Sequence, residues 1–121
     1  MPGLSLIADQ SLRVTVDAGP TTTAPSFATT ANLVQDGTQL LAQRASLNGT
    51  FPSTTPVTVV AAYDDGMVDV VHLMIVNRDT VSHTFTVDKF TSAAADVVLG
   101  TYTVAAGETL IFDNSGSIQI I

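Results

Sequence analysis

The second half of the chain is a succession of short apolar segments separated by turn residues. In residues 83–90 (HTFTVDKF), polar and apolar residues alternate with a period of two, which is typical of a strand with one buried and one solvated face. No helical pattern separates these segments, and short connections favour antiparallel over parallel strands. The sequence therefore predicts an all-β fold, either an antiparallel β-sandwich or a partial barrel.

The N-terminal segment predicts a further strand. Residues 11–17 (SLRVTVD) alternate in the same way, and residues 18–25 (AGPTTTAP) have the composition of an extended linker, since proline disfavours helix. A strand on such a leash either folds back as an edge strand or adds to a neighbouring subunit. We therefore expect an N-terminal strand or arm with its linker over residues 1–25, and a single β-sandwich domain over residues 26–121.

Residues 33–51 are ambiguous. Thr38 could cap a short helix, but an irregular loop or two short strands fit this segment nearly as well. Turns elsewhere follow from Asn-Gly, Asp-Gly and Ala-Gly steps, which supply the positive φ of a tight turn. We expect turns at residues 48–49, 77–80, 105–107 and 114–117, and a hairpin turn at residues 63–66.

The segment of residues 68–76 is apolar on both faces of a strand. One face would carry Val68, Val70, Met74 and Val76, and the other Val71, Leu73 and Ile75. Such a strand must be covered twice, once by the core and once by a second layer of this chain or a neighbouring subunit. His72 falls on the first face as a core or interface histidine, whereas His83 is expected to begin a strand at the surface.

Composition excludes several classes of partner. The chain carries a net charge of −7 and only four cationic side chains, Arg13, Arg44, Arg78 and Lys89. These are too few and too scattered for a basic patch, so we expect no nucleic-acid partner and no anionic membrane surface. There is no cysteine, no secretory signal and no run approaching the ~18 apolar residues of a membrane span, which favours synthesis in a cytoplasm.

Catalytic and metal-binding patterns are weak. Two histidines without cysteine fall short of a zinc site, and the acidic cluster of Asp64, Asp65 and Asp69 is expected to be solvated turn residues, with calcium as the metal if one binds. There is no Gly-x-Ser-x-Gly elbow, no phosphate-binding glycine motif and no tryptophan to stack a sugar. We therefore expect no enzyme activity, no cofactor and no metal.

The remaining candidates are apolar residues near the two ends of the sequence. An apolar segment of this kind requires pairing or burial, so we expect these residues to form an interface with other polypeptides. The candidate interface residues are Leu4, Leu6, Ile7, Leu12, Val14, Val16, Ile118, Ile120 and Ile121.

Several segments, in this order, resemble a family of small tailed-bacteriophage virion proteins. The segment TPVTVVAA (residues 55–62) is similar to the strand before their central hairpin. VHLMIVNRDTVSHTFTV (residues 71–87) is similar to their strand, Asn-x-Asp-Thr, strand hairpin, and YTVAAGETLIF (residues 102–112) to their Ala-Gly-Glu-Thr-Leu turn and strand. The opening SLRVTV (residues 11–16) resembles their N-terminal strand, and the pieces together cover roughly half of the chain.

The resemblance implies an oligomeric, non-catalytic β-sandwich component of a phage particle. We expect a head-decoration (cement) protein that binds the major capsid protein or other virion proteins on the outer capsid, and that is made in the host cytoplasm. A trimer is expected by analogy, since decoration proteins often occupy threefold positions. The alternatives are a tail or neck component, a receptor- or glycan-binding β-module, and a small hydrolase in which a histidine contacts a serine and an aspartate.

Overall fold

The chain folds into two antiparallel β-sheets that pack face to face, which confirms the predicted β-sandwich. A computed structural model describes residues 4–6, 10–35, 39–62, 66–91, 95–113 and 118–121. These residues form ten strands and no helix. In chain order the strands are β1 (Leu4–Leu6), β2 (Ser11–Val16), β3 (Ser26–Gln35), β4 (Gln39–Thr50), β5 (Val57–Val60), β6 (Gly66–Val76), β7 (His83–Phe90), β8 (Ala95–Val104), β9 (Thr109–Asp113) and β10 (Ile118–Ile120).

The first sheet has the order β10-β9-β6-β3-β4, and the short β1 also pairs with β6, in line with β9. The second sheet has the order β5-β2-β7-β8. Alternate residues of each strand point into the space between the sheets, where they exclude water from a single core. The fully buried apolar side chains include Leu6, Leu12, Val14, Phe51, Val59, Val68, Leu73, Ile75, Phe85, Val87, Val104 and Leu110.

Four connections between the sheets lie at one end of the sandwich, which we call the crossover end: residues 17–25, 51–56, 77–82 and 105–108. The connection of residues 77–82 joins β6 in the first sheet to β7 in the second, so the expected hairpin is wrong here. The same correction applies to residues 63–66, because β5 and β6 lie in different sheets, although residues 63–65 are outside the described part. Gly107 has φ of 80°, as predicted for the turn before β9.

β2 is an interior strand. It pairs with β5 on one side and with β7 on the other, and six residues of β2 are in register with β7, from Ser11 with Phe90 to Val16 with Phe85. The expectation of an arm over residues 1–25, apart from a domain over residues 26–121, is therefore corrected. The alternating apolar residues of β2 are covered by the first sheet, and β2 has a partner strand of the same chain on each side.

A bulge in β6 changes which of its side chains are inside. Thr30 of β3 pairs with His72, but Ala31 pairs with Val70, so Val71 is an extra residue on β6. Val68 and Val70 are buried before the bulge, and Leu73 and Ile75 are buried after it. The predicted faces of this strand are wrong because a strict period of two carries no information about an inserted residue.

β4 runs through both segments for which other structure was expected. In the ambiguous segment, the described residues form the end of β3 and the 12-residue β4, which is longer than the short strands of the expected alternative. Asn48-Gly49 lies within β4, where a turn was predicted. Gly49 pairs with Phe27 of β3, and a Cβ atom on Gly49 would stand 3.0 Å from Cε1 of that ring. The glycine makes room for an aromatic side chain in the sheet, a role that the turn propensity of Asn-Gly does not reveal.

Phe51 joins the two layers at the crossover end. Its backbone N–H donates to the Pro25 carbonyl at 2.9 Å, which holds the residue between the end of β4 and the start of β3. Its ring centroid lies 5.3 Å from that of Phe27 on the first sheet and 5.5 Å from that of Phe85 on the second. These tilted contacts make Phe51 the aromatic bridge of the sandwich.

Candidate functional site

The most highly organised polar group in the described residues surrounds His83 at the crossover end. His83 is the first residue of β7, Asp79 lies four residues earlier in the connection from β6, and Asp17 follows the last residue of β2. The side chain of His83 is only 2 % exposed and that of Asp79 is fully buried. The expectation that His83 lies at the surface is wrong, because two connections from different parts of the chain fold over it.

Both ring nitrogens of His83 face carboxylates. Nε2 lies 2.7 Å from Oδ2 of Asp79, and Nδ1 lies 3.2 Å from Oδ1 of Asp17. A neutral imidazole has one donor and one acceptor nitrogen, so it could satisfy only one of these carboxylates. The geometry therefore favours the imidazolium form, in which both nitrogens donate.

The electrostatics of the group agree with this protonation state. Burial lowers the pKa of His83, but the hydrogen bonds and charges of Asp79 and Asp17 outweigh it and raise the pKa above its ordinary value. The hydrogen bond from His83, with those from the Thr21, Thr22 and Thr80 backbone, holds the pKa of Asp79 well below its usual range. Partial burial by itself would raise the pKa of Asp17. Hydrogen bonds with the Thr84 backbone and with His83 outweigh burial and lower the pKa.

Asp79 also organises the connection of residues 17–25. Its carboxylate accepts backbone N–H groups of Thr21 and Thr22, each at 2.8 Å, and of Thr23 at 3.2 Å. A fourth donor is the N–H of Thr80 at 2.9 Å. One buried carboxylate thus satisfies successive N–H groups of a segment without regular secondary structure, and fixes the path by which the chain leaves β2.

Asn77 extends the same network to a third connection. Its side-chain amide donates to the carbonyls of Val81 and Val104, each at 2.9 Å, and its Oδ1 accepts the N–H of Asp79 at 3.1 Å. The backbone of Asn77 donates to Glu108 and accepts from Gly107. Three crossover connections are therefore held together by the group that we call the crossover clasp: Asp17, Asn77, Asp79 and His83.

The crossover clasp is suited to holding structure. The partners of His83 are two carboxylates, and among the described residues no serine hydroxyl hydrogen-bonds to it, so the arrangement expected of a small hydrolase is not formed there. Within the same residues no group of three or more His, Asp or Glu side chains is placed to hold a metal ion. Asp64 and Asp65 lie outside the described part, while Asp69 is on β6.

The candidate interface residues divide into two groups. Four of them, Leu6, Leu12, Val14 and Val16, are buried in the core of the chain itself, so their assignment to an interface is wrong. Ile7 and the side chain of Leu4 lie outside the described part. The other three remain accessible: Ile118 is 40 %, Ile120 41 % and Ile121 69 % exposed.

Ile118 and Ile120 belong to β10, the outermost strand of the first sheet, and Ile121 directly follows it. Ile118 is opposite Phe112 and Ile120 is opposite Leu110, so these two side chains share the core-facing side of the sheet. Phe112 of β9 makes an edge-on contact with Tyr102 of β8, at 5.5 Å between ring centroids, and β8 is the last strand of the second sheet. β10 therefore extends one strand beyond the opposite layer, and its isoleucines have no sheet above them.

Sequence reasoning missed Asp17, Asn77 and Asp79. A signal existed in the spacing of Asp79 and His83, four residues apart across a predicted turn, because a connection that short brings the two side chains within reach of each other. Nothing in the sequence pointed to Asp17, which is 66 residues from His83.

Comparisons with protein-family models, with curated proteins and with solved structures return no match to this chain. In the described residues no helix has the length and apolar character needed to cross a membrane.

The crossover clasp predicts a dependence of stability on pH. Because the folded-state pKa of His83 is raised, its stabilisation is complete below its ordinary pKa of 6.5 and is lost as the pH rises through the raised value. The pKa of Asp79 is lowered, so its contribution is present above 3.8 and is lost as the pH falls through the lowered value. We expect the urea unfolding midpoint to be highest between about pH 4 and 6.5.

The alkaline decline is expected to be absent in the variant His83→Gln, which has no group to titrate in this range. The matched variant His72→Gln, at a half-buried position on β6, should retain the decline. The same alkaline decline in both variants would contradict the assignment to His83.

Proposed function

We propose that this protein is a non-catalytic structural component of a virion, an oligomeric head-decoration protein that binds the outer surface of a capsid. The observation that carries the proposal is the row of accessible isoleucines on β10, which lies at a sheet edge beyond the second layer. An apolar edge of this kind is a site where another polypeptide adds to a sheet. The major capsid protein or other virion proteins are the proposed partners, after synthesis in the host cytoplasm.

The outer face of the second sheet supports a role in contact with other proteins. Thr84 and Thr103 are paired across β7 and β8 with their hydroxyls 3.0 Å apart, and Thr86 and Thr101 are paired at 3.3 Å. These hydroxyls supply polar surface without charge, so little desolvation opposes contact with a second protein. Many symmetry-related copies on a capsid would convert modest individual contacts into strong attachment.

The hydrogen bonding at the crossover end also supports a cement role. The crossover clasp fixes three connections through hydrogen bonds that are largely shielded from water. A protein that reinforces a particle must transmit load between its neighbours without local unfolding, and such a network restricts opening of the loops.

The test is to remove the protein from purified particles and add it back. We expect particles without it to release their contents at lower temperature or in low salt, and the wild-type protein to restore resistance. The double variant Ile118→Lys/Ile120→Lys should fail to restore it, whereas the control Thr54→Lys/Thr55→Lys, with the same charges at exposed positions of the connection of residues 51–56, should restore it.

Particle stability that is unchanged by removal of the protein would refute cementing. Labelling of the protein in intact particles separates the head from a tail or neck location. Binding to a glycan array would instead favour a receptor-binding module.

A further inference from the structure

β10 carries neither proline nor charge, although at three residues it is shorter than the outer strands β4, β5 and β8. Outer strands commonly avoid pairing with other chains by means of proline, charge, shortness or irregular register. β5 follows Pro56, β8 has two register irregularities against β7, and β4 carries Arg44. β10 has the sequence Ile-Gln-Ile, and its register with β9 shows no shift.

The free side of β10 presents a defined set of backbone groups. Ile121 and Thr109 exchange both of their backbone hydrogen bonds, at 2.7 and 2.9 Å. Hydrogen-bonded and non-hydrogen-bonded pairs alternate in an antiparallel ladder. Gln119 therefore also bonds towards β9, while the N–H and C=O groups of Ile118 and Ile120 point away from it, towards the free side.

We propose that two copies of this chain pair β10 with β10, antiparallel, about a twofold axis that passes through Gln119. In this register Ile118 lies opposite Ile120 of the second copy, and each such pair exchanges two backbone hydrogen bonds. The outward groups of the two strands match because the same two residues supply them on both copies. The first sheets of the two copies become one continuous sheet.

The side chains match as well as the backbone. The sequence Ile118-Gln119-Ile120 reads the same in both directions, so antiparallel self-pairing places isoleucine opposite isoleucine and glutamine opposite glutamine. The four isoleucines lie on the core-facing side, where they form one apolar row beyond the two second sheets. The two Gln119 amides meet on the other side of the sheet, where each has a donor and an acceptor for the other.

Charge favours this edge over other surfaces of the molecule. Each copy has a net charge of −7, so two copies repel each other at long range. β10 carries no charged side chain, which makes it a place where the copies can touch without desolvating a carboxylate. The contact is smaller than the ~1,600 Å² of a standard interface, so we expect a reversible dimer that is strengthened by salt.

This inference rests on the oligomeric part of the proposed function and is independent of the location on a particle. In place of the trimer that was expected by analogy, it predicts a twofold contact between two copies. The partner that it names for the apolar edge is a second copy of the same chain, so on a particle the dimer would contact the capsid through its other surfaces.

The test exploits the twofold axis. Sedimentation equilibrium of the wild-type protein, between about 10 µM and 1 mM, should show the mean mass rise towards twice that of one chain. Gln119→Lys and Gln119→Glu each place like charges opposite each other, so each variant alone should weaken dimerisation at least tenfold. An equimolar mixture of the two variants should restore it, since opposite charges then meet across the axis.

Controls are the same two substitutions at Thr103, which is exposed on β8. Neither Thr103→Lys nor Thr103→Glu, alone or mixed, should change the dissociation constant by more than about twofold. A wild-type protein that stays monomeric at 1 mM would overturn the inference while leaving particle binding intact. Gln119 variants that dimerise like wild type would also overturn it. Loss of particle binding by a protein that still dimerises would instead refute the cement role alone.

Discussion

Replacement of His83 by leucine is expected to lower the free energy of unfolding by roughly 3 kcal/mol, because a buried ion pair would lose one partner. Asp79 would keep its backbone donors but lose the hydrogen bond at 2.7 Å from His83, and its charge would remain buried. Urea unfolding at pH 6, compared at equal m-values, measures the loss. The control His72→Leu, at a half-buried position on β6, should cost clearly less.

A second substitution tests the physical cause. In the His83→Leu background, Asp79→Asn removes the unpaired charge but retains an oxygen that can accept backbone N–H groups. The double variant is therefore expected to be more stable than His83→Leu alone. If Asp79→Asn lowered stability equally in both backgrounds, the loss at His83 would come from packing and not from the ion pair.

Replacement of Phe51 by alanine is expected to lower the free energy of unfolding by about 3–5 kcal/mol, the range for deletion of a fully buried aromatic ring. The ring contacts Phe27 on one sheet and Phe85 on the other, so its removal leaves a cavity that neither sheet can fill alone. Thermal and urea unfolding of the purified variant measure the effect.

Phe90→Ala is the matched control, since it deletes the same atoms from a ring on the outer face of the second sheet. Phe90 is half-buried, and its ring is capped by the Arg13 guanidinium, with Cζ 3.4 Å from the ring centroid. Such a contact contributes about 0.5–1 kcal/mol at an exposed site, and we expect a total loss less than half that of Phe51→Ala. Equal losses in both variants would contradict the bridging role of Phe51.

Local patterns in the sequence were sufficient for the strands that keep a regular alternation. β2 buries every second residue, and β7 buries Phe85 and Val87 in the same alternation, because one face of each strand meets the first sheet. The turn at Gly107 was also predictable, since its positive φ is a property of the residue itself. These features depend on residues that are close together in the sequence, so the sequence alone is enough to predict them.

Features that depend on distant residues were not predictable in the same way. A six-residue connection such as residues 77–82 can form a hairpin or cross between sheets, and the choice depends on where β3 and β9 pair with β6. Gly49 is required by the ring of Phe27, 22 positions earlier, and not by a turn. The crossover clasp joins Asp17 to His83 only once β2 and β7 are adjacent.

The position of β2 between β5 and β7 has a consequence for how the protein is made. Ser11 pairs with Phe90, a separation of 79 residues, so the second sheet cannot be completed until most of the chain has left the ribosome. Topologies dominated by such distant pairings fold slowly, because the chain must close large loops before any contact compensates for the lost entropy. Until β7 emerges, β2 lacks the partner strand that positions it over the first sheet. Its apolar side is then exposed on the nascent chain, which makes synthesis the stage at which this protein is most vulnerable to aggregation.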